Sequence, residues 1–190
     1  NTACILKKYC PGVSVVLGGP HVMAVKEDIL KECSHIDFLV YGEGEGTVVE
    51  LVNTIGNKGD LKKVDGISYI EKGNIVTTKP RKYIVDLDSI PFPAYHLFDV
   101  DRYKYNPAPG QFFKLPMLNI MTSRGCPFKC VFCDRGTMGE VYRFRSAGNI
   151  VAEIEFLIRE YGVKELRFHD DTFMVNKKRV HEFCKLILEK

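Results

Sequence analysis

Short apolar runs alternate with helix-like segments in the first part of the chain, and this alternation constrains its fold more than any other feature. The β-branched run at residues 14–17 ends at Gly18-Gly19-Pro20, and a second apolar run covers residues 37–40. Segments with the helical spacing of apolar residues follow each run, at about residues 25–33 and 47–55. Because strands and helices that alternate through short glycine turns build a parallel sheet covered by helices, we predict an α/β fold.

The middle of the chain changes character. Two apolar runs that flank Lys72-Gly73-Asn74 predict a β-hairpin over residues 67–78. The segment at residues 86–93 follows and is too rich in proline for a central strand. We therefore predict a first domain over residues 1–60 and a connector over residues 61–112.

The last third, residues 113–190, returns to the alternation of strand and helix. Strands are predicted at residues 115–122 and 165–169, and Asn149 and Asn176 are the predicted N-caps of the helices that follow. Gly162 is the predicted C-terminal stop of the first helix. The predicted apolar stripes are Ile150, Ile154, Leu157, Ile158 and Tyr161 in the first helix and Val180, Phe183, Cys184, Ile187 and Leu188 in the second.

Three of the seven cysteines lie within eight residues, directly after the predicted strand at residues 115–122. Gaps of three and two residues separate Cys126, Cys130 and Cys133. Thiolates are the usual ligands of iron–sulfur clusters, and three of them leave one iron of a four-iron cluster open. A structural zinc site is the alternative and would need a fourth protein ligand. His169, His181 and Cys184 are candidates for it, although Cys184 falls on an apolar stripe and is expected in the core. We therefore predict a [4Fe–4S] cluster at these three cysteines.

The loop Cys126-Pro127-Phe128-Lys129-Cys130-Val131-Phe132-Cys133 resembles the radical S-adenosylmethionine (SAM) superfamily in its CxxxCxxC spacing and in the aromatic Phe132. In that family the open iron binds the amino and carboxylate groups of SAM, which is reductively cleaved to a 5′-deoxyadenosyl radical. The resemblance implies that the chain binds a [4Fe–4S] cluster and SAM. It also implies that residues 113–190 are the first two β/α units of a radical SAM partial TIM barrel, with the loop at the carboxyl ends of the strands.

An acidic pair, Asp170-Asp171, follows the second predicted strand and precedes Phe173. One subgroup of radical SAM enzymes is similar at this place, and the similarity implies that one of the two carboxylates binds the amino group of SAM. Carboxylates accept charge-assisted hydrogen bonds from ammonium groups, although an ordinary turn with a helix N-cap is an open alternative. Arg143 and Arg145 are candidates to bind a carboxylate or phosphate of SAM or substrate, and a solvated basic loop is the alternative.

The order of motifs along the chain resembles the cobalamin-dependent radical SAM subgroup. The motifs are Gly18-Gly19-Pro20-His21, Gly42-Glu43-Gly44-Glu45, the proline-rich segment at 86–93 and the three cysteines. In that subgroup a cobalamin-binding Rossmann-like domain precedes the barrel, so residues 1–60 are expected to be the C-terminal part of a Rossmann-like parallel sheet domain. The resemblance adds cobalamin as a candidate cofactor. It implies cofactor-binding positions at Gly18, Gly19, Pro20, His21, Gly42 and Glu43.

The resemblance implies a radical SAM enzyme that methylates, rearranges or cyclises an unactivated carbon. We expect a small-molecule or natural-product-like substrate and an external electron donor of the flavodoxin or ferredoxin type, and we assign no catalytic side chain. One alternative is a radical SAM methylthiotransferase that acts on RNA or protein. Two others are a non-catalytic iron–sulfur or zinc module and a plain nucleotide-binding interaction domain.

The composition limits the location and the partners. A formal charge of +3 is mild, so nucleic acid is not an expected partner, and no apolar run reaches the roughly 20 residues of a membrane span. The uneven cysteine distribution favours a reducing, cytoplasmic location over a disulfide scaffold.

Both predicted domains are shorter than the resemblance requires. We therefore expect an internal fragment of a longer enzyme, inactive by itself. Its exposed strand edges are expected to favour self-association.

Overall fold

The structure, a computed structural model, describes residues 2–100, 114–133 and 138–190. Residues 101–112 of the predicted connector lie outside this described part. The chain divides into two units, the first comprising Asn1–Ile84 with Cys130–Gly139 and the second Val85–Lys129 with Glu140–Lys190. No helix in the described ranges is both long enough and apolar enough to cross a membrane.

Helices and strands alternate along both units. In the first unit they are α1 (Thr2–Tyr9), β1 (Val16–Leu17), α2 (Pro20–Val25), α3 (Asp28–Glu32), β2 (Phe38–Val40), α4 (Gly44–Gly56), β3 (Ile67–Glu71) and β4 (Asn74–Thr77). In the second unit they are β5 (Met117–Ile120), β6 (Ser123–Arg124), β7 (Arg143–Phe144), α5 (Ala147–Tyr161), β8 (Glu165–Phe168) and α6 (Lys177–Leu188).

A four-stranded sheet in the order β1-β2-β3-β4 organises the first unit. Strands β1 and β2 are parallel, with Leu17 opposite Leu39, whereas β2 and β3 are antiparallel, with Val40 opposite Ile67. The predicted hairpin forms as β3 and β4, and it extends this sheet by hydrogen bonding to β2. The predicted α/β fold with a parallel sheet segment is therefore confirmed.

Strand β2 is buried on both faces, and two apolar clusters form on it. Leu39 packs with Val22, Ile29 and Leu30 from the short helices α2 and α3. On the other face the cluster consists of Phe38, Val40, Leu51, Val64, Ile67 and Tyr69. The alternation of side chains along a strand explains this division, because Leu39 points opposite to its neighbours.

The helices of the first unit differ in extent from their predictions. The predicted helix at about residues 25–33 forms over a shorter range, Asp28–Glu32, because α2 ends at Val25 and α3 begins at Asp28. Lys26, between them, has φ 56°, a left-handed value that a continuous helix cannot contain. Helix α4 begins at Gly44, earlier than the predicted residue 47, and α1 was not predicted.

The second unit contains the two predicted strand–helix units. Strands β5 and β8 pair in parallel, with Leu118 opposite Leu166, as the predicted fold requires. Helix α5 follows the short antiparallel pair of β6 and β7, and α6 follows β8. The core joins residues of the connector to this domain and consists of Tyr95, Val100, Ile120, Ile150, Ile154, Leu157 and Val163.

Helix α5 begins earlier than predicted. Ser146 is the N-cap, and its hydroxyl accepts a hydrogen bond from the Asn149 amide at 3.1 Å, so the prediction of Asn149 as the cap is wrong. Ser146 is fixed in turn by Asp88, whose carboxylate accepts from the Ser146 amide at 2.8 Å. The predicted stop at Gly162 is confirmed, since Gly162 is left-handed with φ 61°.

Helix α6 has the predicted N-cap and a different buried face. Asn176 accepts a hydrogen bond from the Arg179 amide at 3.1 Å, as predicted. Arg179 is buried, whereas Cys184 and Leu188 are exposed, so the placement of Cys184 in the core is wrong. The physical reason is that Arg179 makes hydrogen bonds inside the second unit, so the side of α6 that carries Arg179 faces inward.

Candidate functional site

The carboxyl ends of β5 and β8 lie at one edge of their sheet because the two strands are parallel. Thr122 and Ser123 follow β5 at this edge, and Asp170 follows β8. The Asp170 carboxylate accepts from the Thr122 amide at 2.6 Å, from the Thr122 hydroxyl and from the Ser123 hydroxyl at 2.7 Å. The chain that enters the cysteine loop is thereby joined to the acidic pair.

Arg179 completes this polar cluster from helix α6. Its Nη1 donates to the carbonyl and the hydroxyl oxygen of Thr122 at 3.1 and 2.9 Å. Its Nη2 donates to the Phe173 carbonyl at 2.9 Å and lies 3.9 Å from Asp170 Oδ2. The side chains of Arg179 and Asp170 are 3% and 0% exposed, so the pair is fully buried. We call Thr122, Ser123, Asp170 and Arg179 the Asp170 cluster.

The two aspartates of the predicted SAM-binding pair have different surroundings. Asp170 is occupied by the hydrogen bonds of the Asp170 cluster, whereas Asp171 is exposed. The next residue, Thr172, has a buried hydroxyl without a hydrogen-bond partner among the described residues. The accessible carboxylate at this edge is therefore that of Asp171.

The three motif cysteines are thiols that form no disulfide bond. Cys126 is half-buried and belongs to the second unit, whereas Cys130 and Cys133 are exposed and belong to the segment assigned to the first. The Cys133 amide donates to the Cys130 carbonyl at 3.1 Å, which forms a turn between these two residues. Over residues 2–100, 114–133 and 138–190, no three Cys, His, Asp or Glu side chains are grouped closely enough to hold a metal ion. The cluster assignment therefore depends on the donor set: three thiols at a spacing that suits a [4Fe–4S] cluster.

The two arginines of the predicted anion site are largely buried, so a solvated basic loop is wrong. Arg143 is 5% exposed. Arg145 forms an ion pair with the buried Glu153 and donates to Asn149 Oδ1 at 2.6 Å. Arg145 thus has protein partners, and its guanidinium stabilises the start of α5.

The glycine turns of the first unit meet at the carboxyl ends of the parallel strands β1 and β2. A Cβ on Gly18 would lie 3.5 Å from the Val40 carbonyl, which places this turn against β2. Gly19 has φ 95°, and a Cβ there would meet no described atom within 4 Å. The Gly42 amide donates to Met23 Sδ at 3.1 Å. The structure thus brings the predicted glycine motifs to one edge, where ligands of α/β sheets bind.

The other predicted residues of this edge differ in exposure. Pro20 begins helix α2, and both Pro20 and His21 are exposed beside Gly19. Glu43 is 8% exposed, and its carboxylate accepts from the Ile84 amide at 2.7 Å. Glu43 therefore fixes the chain that leaves the hairpin, whereas Pro20 and His21 are accessible to a ligand.

Tyr83 connects the second glycine turn to the segment that follows the cysteines. A Cβ on Gly42 would lie 4.0 Å from the Tyr83 ring, and a Cβ on Gly139 would lie only 2.7 Å from it. Gly139 also has φ 78°, which favours glycine. The Tyr83 ring therefore lies between Gly42, in a predicted cofactor-binding turn, and Gly139, which follows the motif cysteines. All three residues belong to the first unit.

Sequence reasoning missed the polar partners of the site, above all Arg179, Thr122 and Ser123. Arg179 precedes Phe183 by four residues, so helical periodicity could have placed it on the same face as this apolar residue. Thr122 and Ser123 gave no signal of their own, because their importance comes from contacts with residues about 50 positions later in the chain.

Comparisons with known proteins show which proteins this chain resembles. Residues 120–190 match the family model described as the radical SAM superfamily. An uncharacterised methyltransferase of Pyrococcus horikoshii is 44% identical over 180 residues, which cover 94% of this chain and 38% of that protein. An anaerobic magnesium-protoporphyrin IX monomethyl ester cyclase of Synechocystis sp. is 34% identical over 183 residues, which cover 96% of this chain and 35% of that protein. The chain thus spans less than half the length of either relative.

A solved structure shares the fold of the whole chain. The cobalamin-dependent S-adenosylmethionine radical enzyme OxsB, with aqua-cobalamin and SAM bound, matches with a TM-score of 0.78 and 18% identity. The match covers 100% of this chain and 26% of that one. From the CxxxCxxC motif, the parallel strand–helix units and the match to the family model, we conclude that residues 120–190 belong to the radical SAM superfamily.

Proposed function

We propose that the protein is a radical SAM enzyme in which Cys126, Cys130 and Cys133 ligate a [4Fe–4S] cluster. The observation that carries the proposal is the CxxxCxxC motif, which follows a strand of a parallel pair inside the region that matches the family. When bound, the cluster supplies the electron that cleaves the sulfonium of SAM.

The residues of the β5 and β8 edge would bind the methionine part of SAM. The exposed Asp171 carboxylate can accept charge-assisted hydrogen bonds from the ammonium group. Residues 120–124 lead from β5 into the cysteine loop, and their backbone is held by β6, β7 and the Asp170 cluster. The site therefore combines a fixed entry into the loop with an accessible carboxylate.

We further propose that the reaction is a methyl transfer, rearrangement or cyclisation at an unactivated carbon of a small molecule. The names of the two relatives, a methyltransferase and a cyclase, support this class of reaction. The fold shared with a cobalamin-bound enzyme and the open glycine turn at Gly19 support cobalamin as a further cofactor. A flavodoxin or ferredoxin would supply the electron.

Cysteine replacement tests the cluster assignment. The complete protein is reconstituted anaerobically with iron and sulfide, and its iron content and the paramagnetic resonance of the reduced protein are measured. We expect Cys126→Ala, Cys130→Ala and Cys133→Ala each to lose most of the iron and the signal. Cys184→Ala, which removes an exposed thiol outside the motif, is the matched control and should retain both. Unchanged iron in the three motif variants would refute the assignment.

A further inference from the structure

We infer that Asp170 and Arg179 position the entry into the cysteine loop, which leaves the proposed contact with SAM to Asp171. The inference rests on the proposed function and deepens it. Asp170 and Arg179 are positioning residues in this account, because they contact other side chains and the backbone and leave the ligand contact to Asp171.

The hydrogen-bonding capacity of Asp170 is the first argument. A carboxylate has two oxygens with about four acceptor positions. Donors from Thr122 and Ser123 occupy three of them, Arg179 lies beside Oδ2, and the side chain has no exposed surface. An ammonium group could reach Asp170 only by breaking these contacts. Asp171 is exposed and follows directly in the chain, so it can meet the same ligand without that loss.

The place of Thr122 and Ser123 in the chain is the second argument. The Thr122 carbonyl accepts from Arg179 at 3.1 Å and from the Arg145 amide at 2.9 Å, so this peptide is held from two sides. Two residues after Ser123, Gly125 has φ 77°, a left-handed turn that leads directly to Cys126. The direction in which Cys126 leaves the sheet therefore depends on the Asp170 cluster.

Arg179 also holds the loop that contains Asp171. Its Nη2 donates to the carbonyl of Phe173, two residues beyond Asp171, and its guanidinium lies 4.8 Å from the centre of the Phe173 ring. The guanidinium is also 5.6 Å from the Phe144 ring. Such contacts with aromatic faces suit a buried guanidinium. One buried arginine thus fixes the chain before Cys126 and the chain after Asp171 together.

The test compares three variants of the complete protein, reconstituted anaerobically: Asp170→Asn, Asp171→Asn and Leu157→Ala. Leu157→Ala is the control for general stability because Leu157 is a fully buried apolar residue in the core of the same unit. Far-ultraviolet circular dichroism of the cluster-free proteins reports folding. Iron content and the resonance spectrum report the cluster, and the change of that spectrum on titration with SAM reports binding.

Each variant has a distinct expected result. Asp171→Asn should keep wild-type iron content and spectrum, and should need about tenfold more SAM for the same spectral change, as expected for a lost bond to a charged group. Asp170→Asn should remain folded but show an altered cluster spectrum and less than about half of the wild-type iron, the range we expect when a ligand-orienting contact is lost. Leu157→Ala should lose stability, as expected for a cavity in the core, yet keep the wild-type spectrum.

Two results would overturn the inference while leaving the proposed cluster ligands intact. One is a wild-type cluster spectrum in Asp170→Asn, or the same spectral change in Leu157→Ala, since either would show that Asp170 contributes only to general stability. The other is wild-type SAM binding by Asp171→Asn. A wild-type protein that takes up no cluster would refute the proposed function, and this inference with it.

Discussion

Buried polar residues in the second unit occur as groups in which charges of opposite sign lie together. The Asp170 cluster is one such group, and Tyr95, Arg145 and Glu153 form another. The Tyr95 hydroxyl donates to Glu153 at 2.8 Å, and Arg145 pairs with the same carboxylate. Because removing one member of a buried charged pair leaves the other without compensation, these residues are sensitive to substitution.

Tyr95 should make stability depend on pH in alkaline solution. Burial, followed by the charge of Glu153 and the hydrogen bond to it, raises the pKa of Tyr95 above its usual value of about 10. The unfolded chain therefore releases this proton first, so the stabilisation is complete below about pH 10 and declines as pH rises further. We expect the difference in unfolding free energy between wild type and Tyr95→Phe to shrink as the pH rises from about 9 to about 11. Tyr9→Phe, at an exposed side chain, is the control. If the difference in unfolding free energy stayed constant across this pH range, the raised pKa of Tyr95 would be contradicted.

Gly139 should tolerate alanine less well than another glycine of the same conformation. Gly73 has φ 80°, and a Cβ there would meet no described atom within 4 Å, whereas a Cβ on Gly139, with φ 78°, would lie 2.7 Å from Tyr83. Gly73→Ala should cost about 1–2 kcal/mol, as expected for a left-handed residue. Gly139→Ala should cost more because the methyl group must displace the Tyr83 ring. Urea denaturation measures both, and in a Tyr83→Ala background the excess should disappear. Equal losses at the two glycines would refute the contact.

At the scale of elements, the start of helix α5 depends on one hydroxyl. Ser146 has extended backbone angles and accepts from the Asn149 amide, as an N-cap does. We expect Ser146→Ala to lower the free energy of unfolding by about 1 kcal/mol and Ser146→Gly by only a few tenths. Chemical denaturation of the two variants checks this. A Ser146→Ala variant as stable as Ser146→Gly would contradict the capping role.

Local signals predicted some elements well. The cap at Asn176, the stop at Gly162 and the hairpin at Gly73 each follow from residues within one turn of chain. The choice between Asn149 and Ser146 could not be made locally, because both residue types cap helices and lie close together in the chain. Asp88, 58 residues earlier, fixes Ser146 by accepting from its amide.

Contacts between residues far apart in the chain also limited the prediction of the candidate site. The sequence identified the cysteine loop and the acidic pair as candidates from spacing and residue type, and their ligand roles stay predictions. It could not distinguish Asp170 from Asp171, since the difference comes from Thr122 and Arg179. It also placed Cys184 in the core, because the apolar stripe does not show that α6 turns its Arg179 side inward, toward Thr122 far earlier in the chain.

At the scale of the whole molecule, the chain passes between its two units at residues 84, 129 and 139. The division falls inside the cysteine motif, so Cys126 is assigned to one unit and Cys130 and Cys133 to the other. The second unit provides the β5 and β8 edge, and the first provides the glycine edge.

The most direct test of the proposed function is SAM cleavage by the complete protein. The protein is reconstituted anaerobically, reduced with dithionite and incubated with SAM, and 5′-deoxyadenosine is quantified by chromatography. The account predicts 5′-deoxyadenosine from the wild type and from Cys184→Ala, and none above background when Cys126, Cys130 and Cys133 are all alanine. Equal product from the wild type and the triple variant, or none from a wild type that carries its full complement of iron, would contradict it.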